Sequence, residues 1–210
     1  MWPSTSRGNV RDEAAPPGLD IGPFMNYASS YLTDLQQLIG RLDGGVIDRA
    51  VDMLREARDG NRRVFVTGNG GSAAIASQMV VDIGKGASLD RPKRFKIITL
   101  TDQIPWITAL ANDISYDVVF LEQLKNFAEP GDVLIGMSCS GTSKNVVLAH
   151  QWARENGLRP IGLGKDAPTP LRAASDIYVP IPCAHYGRLE DSFFIVTHIL
   201  CYAFIDNPKL

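Results

Sequence analysis

Arg63 to Ala87 reads RVFVTGNGGSAAIASQMVVDIGKGA, an apolar strand, a glycine-rich turn and an apolar helix in succession. Val64, Phe65 and Val66 are β-branched or aromatic and stand between polar residues, which suits a buried parallel strand. Gly68, Gly70 and Gly71 make the turn, because glycine permits positive φ and lets a ligand approach the main chain closely. Ser72 falls where an N-cap or first-turn hydroxyl meets a phosphate at a helix N-terminus. The segment from Gly68 to Ser72 therefore reads as a phosphate cradle.

Outward from this stretch the unit recurs. Phe95 to Leu100 forms a strand ending in Thr101-Asp102, followed by helical stretches over Ile104–Ala111 and Tyr116–Phe127. A third unit begins at Asp132 with the strand VLIGMS, passes through the turn Ser138-Cys139-Ser140-Gly141-Thr142-Ser143, and enters a helix over Ser143–Glu155 that Gly157 stops. Arg159–Leu163 and Asp176–Val179 are two short strands with Pro168–Ala174 between them, and Leu189–Ile205 closes the pattern as an apolar helix. On the amino side, apolar residues at helical spacing predict two amphipathic helices, Phe24 to about Leu42 and Val46 to about Arg58, joined at Gly44-Gly45. Alternating strands and helices predict an α/β fold, an open doubly wound parallel five-stranded sheet flanked by helices, with the amino-terminal helices added. Ligands of such sheets sit beyond the carboxyl ends of the strands, where both turns lie.

Composition narrows the functions. The 210 residues suffice for one well-buried domain, expected over 24–210, after a Pro-, Gly- and Ser-rich stretch to Pro23 that reads as a disordered tail. A formal charge of −2 gives no basic footprint for nucleic acid. Cys139, Cys183 and Cys201 are an odd number without metal spacing and fit a reducing compartment better than a disulfide scaffold. The apolar run Phe193–Ile205 is too short to span a bilayer, so a cytoplasmic protein without a membrane partner is expected.

Four hydroxyls, Ser138, Ser140, Thr142 and Ser143, fall within six residues at a strand end, with a helix N-terminus behind them. They make an uncharged anion site of hydroxyls and backbone amides, or an ordinary capped loop; two such loops on one sheet favour the first. Gln78 and Asp82 lie four apart and share a helix face. Glu190 and His198 lie eight apart, a little over two turns, near one side of the last helix. A single histidine in an apolar helix is commonly a hydrogen-bonded core residue. Together with two carboxylates and an amide beside a phosphate cradle, it points to a proton-transfer or metal site. GNGGSA also fits the dinucleotide fingerprint G-x-G-x-x-A, but the acidic residue expected about 20 positions on is missing, since Asp90 precedes the second strand and Asp102 lies well beyond. No Gly-Lys-Ser/Thr follows the turn, so no nucleotide cofactor is expected.

With GNGGSA at 68–73, LTD at 100–102, AND at 111–113, GDVLIGMSCSGTSKNV at 131–146 and HIL at 198–200, the chain resembles the sugar isomerase (SIS) domain family, and within it the phosphoheptose isomerases. The similarity runs from about Phe24 to Ile205. It implies that Ser72, Ser138, Ser140 and Ser143 bind a sugar phosphate, that Asn69, Gly70 and Gly71 shape the turn, and that Asp102 lies near the sugar chain. It also implies a homotetramer with active sites at subunit contacts. In those isomerases a His and a Glu four residues on, with a Gln and a His eight residues on, carry the proton transfer and can hold zinc; the matching positions are Gln78, Asp82, Glu190 and His198. Only the last keeps the family's residue. Asp for Glu shortens the base by one methylene, about 1.5 Å. Two carboxylates, an amide oxygen and one imidazole form a harder set than zinc favours, suited to another divalent ion or to none. The expectation is an aldose–ketose isomerase working through an enediol, with Asp82 as base, His198 as acid and Glu190 orienting His198. The alternative is a non-catalytic SIS protein that binds a phosphosugar or a partner for regulation.

Overall fold

The structure, a computed structural model, describes residues 26–210. The expected tail to Pro23, and Phe24 with it, lies outside the described residues. The chain divides into two compact units, one ending at Gln36 and the other running Gln37–Leu210, and every candidate site residue belongs to the second. Five strands, β1 (Arg63–Thr67), β2 (Lys96–Thr99), β3 (Val133–Ser138), β4 (Arg159–Lys165) and β5 (Ile177–Ile181), form one parallel sheet in the order β2-β1-β3-β4-β5. Register is continuous across the centre, with Val64 opposite Val133 and Val133 opposite Arg159. The strand order reverses between β1 and β3. That switch point opens a crevice at their carboxyl ends, where doubly wound sheets bind ligands.

The helices are α1 (Tyr27–Ile39), α2 (Gly44–Asp59), α3 (Gly71–Val81), α4 (Ile104–Asp113), α5 (Leu121–Phe127), α6 (Lys144–Glu155), α7 (Pro170–Ala173) and α8 (Tyr186–Ile205). α2, α3 and α8 pack together on one face, while α5 and α6 cover the other. On that second face Phe65 and Leu134 enter one apolar cluster with Leu100, Phe120, Leu124 and Val146. Their strand neighbours Val64, Val66, Val133 and Ile135 point the opposite way and are equally buried. Burial on both faces explains why β1 and β3 read as continuous apolar runs. Truncating a side chain such as Phe65 would leave a void costing about 3–5 kcal/mol.

Three local features differ from expectation. Gly44-Gly45 does not join the first two helices: it opens α2, and Asp43 caps that helix by accepting from the Val46 N–H at 3.2 Å. Side-chain capping fixes the start two residues earlier than apolar spacing shows. Tyr116–Phe127 is not one helix but a 3₁₀ turn, Tyr116–Val118, and then α5; the Ser115 hydroxyl caps the turn by accepting from the Asp117 N–H. Finally, α3 does not run on as an α-helix: Asp82–Gly86 is a π-helical turn closed by the Ala87 N–H on the Asp82 carbonyl at 2.9 Å. Such widened turns recur at functional sites because they redirect one side chain within a helix.

Candidate active site

The glycine turn after β1 is shaped by contact as well as by torsion. Gly70 holds φ at +54°, a conformation that side chains resist. A Cβ at Gly68 would lie 2.7 Å from both Cβ and the carbonyl oxygen of Ser72, so only glycine lets the helix start this close to the strand. α3 begins at Gly71 with no side-chain cap, and α6 begins at Lys144 likewise uncapped. The hydroxyl of Ser143, the N-cap of α6, turns away from its own helix to the Ser138 hydroxyl at 3.0 Å. Two helix N-termini thus keep open N–H groups, which attract an anion.

Between them lies a cavity of about 140 Å³ lined by Asn69, Ser72, Ser138, Cys139, Ser140, Ser143, Tyr186 and Glu190. Ser72 and Ser138 are buried, and Ser140 lies 3.4 Å from Ser138 while accepting from the Thr142 N–H and hydroxyl. Burial, and then the charge of Glu190, push the Cys139 thiol up to about 11, so it faces the cavity as a neutral group. Glu190 stands at the start of α3: a Cβ on Gly71 would lie 2.7 Å from its Oε1.

Three residues fasten the two turns to each other. The Asn69 and Asn145 side-chain amides exchange hydrogen bonds of 2.9 and 2.8 Å, and the Tyr116 hydroxyl donates to Asn69 Oδ1 at 3.0 Å. Asn145 is buried in the first turn of α6, so this clamp sets the spacing between the β1 and β3 loops. Sequence reading missed Asn145 and Tyr116 as site residues. Asn145 stood inside the motif GTSKNV, and its position two residues after Ser143 was the available signal.

Asp102, exposed past the end of β2, accepts from the Ser77 hydroxyl at 2.6 Å and is thereby tied to α3. Farther along α3, the Gln78 amide donates to Asp82 Oδ1 at 3.0 Å, and His198 Nε2 on α8 lies 3.5 Å from Asp82 Oδ2. That oxygen is buried with no hydrogen-bond partner and faces the imidazole. Phe194 and Tyr202 flank the His198 ring, with centroids at 5.0 and 6.0 Å. Burial, and then the Asp82 carboxylate, raise the Cys201 thiol well above its ordinary range, so it stays protonated.

The structure therefore joins Gln78, Asp82 and His198 in one group and places Glu190 with the serine cavity, against Gly71, about three helical turns before Asp82 on α3. For zinc this donor set does not fit. Gln78 turns its amide nitrogen to Asp82, and no three His, Cys, Asp or Glu side chains gather as ligands would among the described residues.

The SIS domain family model matches residues 26–164. The chain belongs to the SIS family. It is 35% identical over 168 residues to the phosphoheptose isomerase of Geotalea daltonii, covering 80% of this chain and 86% of that relative. Among solved structures, a phosphoheptose isomerase from Francisella tularensis superposes with a TM-score of 0.81 at 22% identity, covering 87% of this chain and 98% of the other. That from Neisseria gonorrhoeae gives 0.79 at 22% identity over the same shares. The fold expected for an SIS protein and the fold observed agree. No helix among the described residues is long and apolar enough to cross a membrane.

Proposed function

We propose that this SIS protein is an aldose–ketose isomerase of a phosphorylated sugar, converting sedoheptulose 7-phosphate to a heptose 7-phosphate through a cis-enediol. The observation that carries the reading is the convergence of two uncapped helix N-termini and a group of serine hydroxyls on one small cavity at the switch point of the sheet. Such a cavity holds a phosphate through directed, uncharged donors, and binding energy gathered there positions carbons remote from the phosphate. Asp82 removes the proton from the carbon next to the carbonyl. His198, beside it, protonates the developing oxyanion and then takes the proton from the neighbouring enediol hydroxyl, while Asp82 returns its proton to the carbon that had carried the carbonyl. The buried Oδ2 of Asp82, which no hydrogen bond occupies, is the oxygen free to receive the proton. Gln78 fixes the other oxygen and with it the carboxylate plane.

The assembly is a homotetramer in the cytoplasm with active sites at subunit contacts. Exposed Phe194, Ile199 and Tyr202 on α8, on and beside the His198 face, support a partner subunit covering this side.

A second reading, a phosphosugar-binding regulator without turnover, is favoured by Glu190, an anion placed at the mouth of an anion cavity, and by Gln78 in place of a histidine. The two separate in one experiment. Purified protein is incubated with sedoheptulose 7-phosphate in D₂O and followed by NMR, with inorganic phosphate binding measured in parallel. New heptose signals carrying deuterium at C2 are expected. Absence of both product and exchange, with phosphate still bound, would leave the regulatory reading standing.

A further inference from the structure

The serine cavity lies at the carboxyl ends of the strands. A second cavity, of about 420 Å³, lies at their amino ends, where α2 leads into β1, the segment after the π turn leads into β2, and α8 finishes. Arg58, Arg91, Lys93 and Lys209 line it, with Asp59 as its one acidic side chain and Leu210 also at its wall. Arg58 is fixed: its guanidinium lies 5.5 Å from the Phe95 ring and 5.4 Å from the Phe204 ring, and it donates to Asp59 Oδ1 at 3.0 Å and to the Leu210 main-chain oxygen at 2.8 Å. The two rings meet edge to face at 4.9 Å, so the cation rests on a rigid aromatic floor.

Four basic side chains line the cavity against one acidic side chain. Lys93 shares the same Asp59 oxygen with Arg58, at 3.2 Å. Burial pushes the Asp59 carboxyl up, but hydrogen bonds from Lys93 and Arg58 outweigh it and hold the group below the usual carboxylate range, so it counts as fully charged. Arg91 donates to a carbonyl, that of Ile205 at 3.2 Å, which orients its guanidinium without neutralising it. Cations crowded around a pocket of this size, on a chain whose overall charge is −2, are a local inversion of sign. The volume is three times that of the serine cavity and lies in the range of small-molecule sites.

We propose that this cavity is a second anion-binding site, for a small molecule bearing a diphosphate. One phosphate is met by Arg58 and Lys93 above the aromatic floor, and the other by Arg91 and Lys209. Four cations around a cavity of this volume match the charge of two phosphate groups better than that of one. The site is independent of the isomerase reading, since none of its residues enters that chemistry.

The test is calorimetric titration of the full chain with pyrophosphate and with ADP, in four proteins. Wild type is expected to bind, and to weaken about tenfold or more as NaCl rises from about 50 to about 250 mM. The pair Lys93→Gln/Lys209→Gln, both exposed, should lose about tenfold or more in affinity with an unchanged melting temperature, whereas Ser138→Ala/Ser140→Ala should bind as wild type does. Arg91→Gln is a further variant that should bind more weakly. Pyrophosphate bound as tightly as ADP identifies the diphosphate alone as the recognised group, and tighter ADP adds a contact from the nucleoside. No binding to wild type, binding unchanged in the lysine pair, or binding lost in the serine pair would overturn the proposal.

Discussion

At the carboxyl ends of β1 and β3 the groups turned toward ligand are hydroxyls and main-chain N–H groups. At the amino ends of β1 and β2 they are guanidinium and ammonium groups. The first cavity is built from helix starts and short side chains on a clamped backbone, so its donors are fixed in place and carry no net charge. The second is built largely from long side chains, and only Arg58 is fully held. Fixed neutral donors select by geometry and are little affected by salt. Mobile cations select by charge, and a Debye length of about 10 Å at 0.1 M salt screens them. Each region also contains one acidic side chain in an opposite role: Asp59 is shared by two cations, while Glu190 lines an anion cavity against the start of α3.

The comparison can be broken first at the chemistry, where the largest effect is expected. Asp82→Asn should lower kcat by about 10²–10⁴-fold while inorganic phosphate binding stays near the wild-type value, measured by NMR turnover and calorimetry. Equal loss of phosphate binding would mean that Asp82 belongs to the cavity and not to proton transfer. The next effect is on stability and concerns the carboxyl-end half alone. His150, fully buried in α6 with its Nε2 against Gly136 of β3, is pushed down to about 3 by burial. The unfolded chain protonates this imidazole near its ordinary value of 6.5 and the folded chain does not, so stability is present above that pH and falls as pH drops toward 3. The loss is about 1.4 kcal/mol per pH unit in that window, and His150→Leu should remove this share of the slope in denaturant titrations.

A smaller effect sharpens the contrast in materials. Ser138→Ala should weaken phosphate binding by about 1.5–3 kcal/mol, a charge-assisted hydrogen bond, with a salt dependence no steeper than in wild type. A steep salt slope at this site would show that charge, not geometry, governs it. The smallest effect tests the clamp. Tyr116→Phe removes the hydrogen bond to Asn69 and should cost about 0.5–1.5 kcal/mol, appearing as a raised KM with kcat little changed.

Much of this was legible in the chain itself. β-branched runs marked the central strands, and glycines and clustered hydroxyls marked both turns, because these signals are local. The relation of Glu190 to His198 shows the limit. Eight residues return a side chain to nearly the same side of a helix, but they also advance about 12 Å along its axis, so the two face different sites. The π turn at Asp82 leaves only Gly84 and Gly86 as a trace, since one widened turn hardly disturbs apolar spacing. Tyr116 and Asn69 meet across 47 residues, a pairing that no local pattern encodes. The cationic cavity is assembled from the ends of α2 and α8 and the segment before β2, and its charges are scattered in the sequence until the fold collects them.

One helix touches all of it. α8 has 20 residues, about 30 Å of rod, with Glu190 near its start, His198 in its middle and Phe204 near its end. Both cavities thus meet the same continuous helix. Any factor by which a ligand on the Phe204 floor alters affinity beside Glu190 must be returned, equal in size, by the sugar phosphate acting on that ligand. The same length of helix that separates the two cavities makes them thermodynamic neighbours.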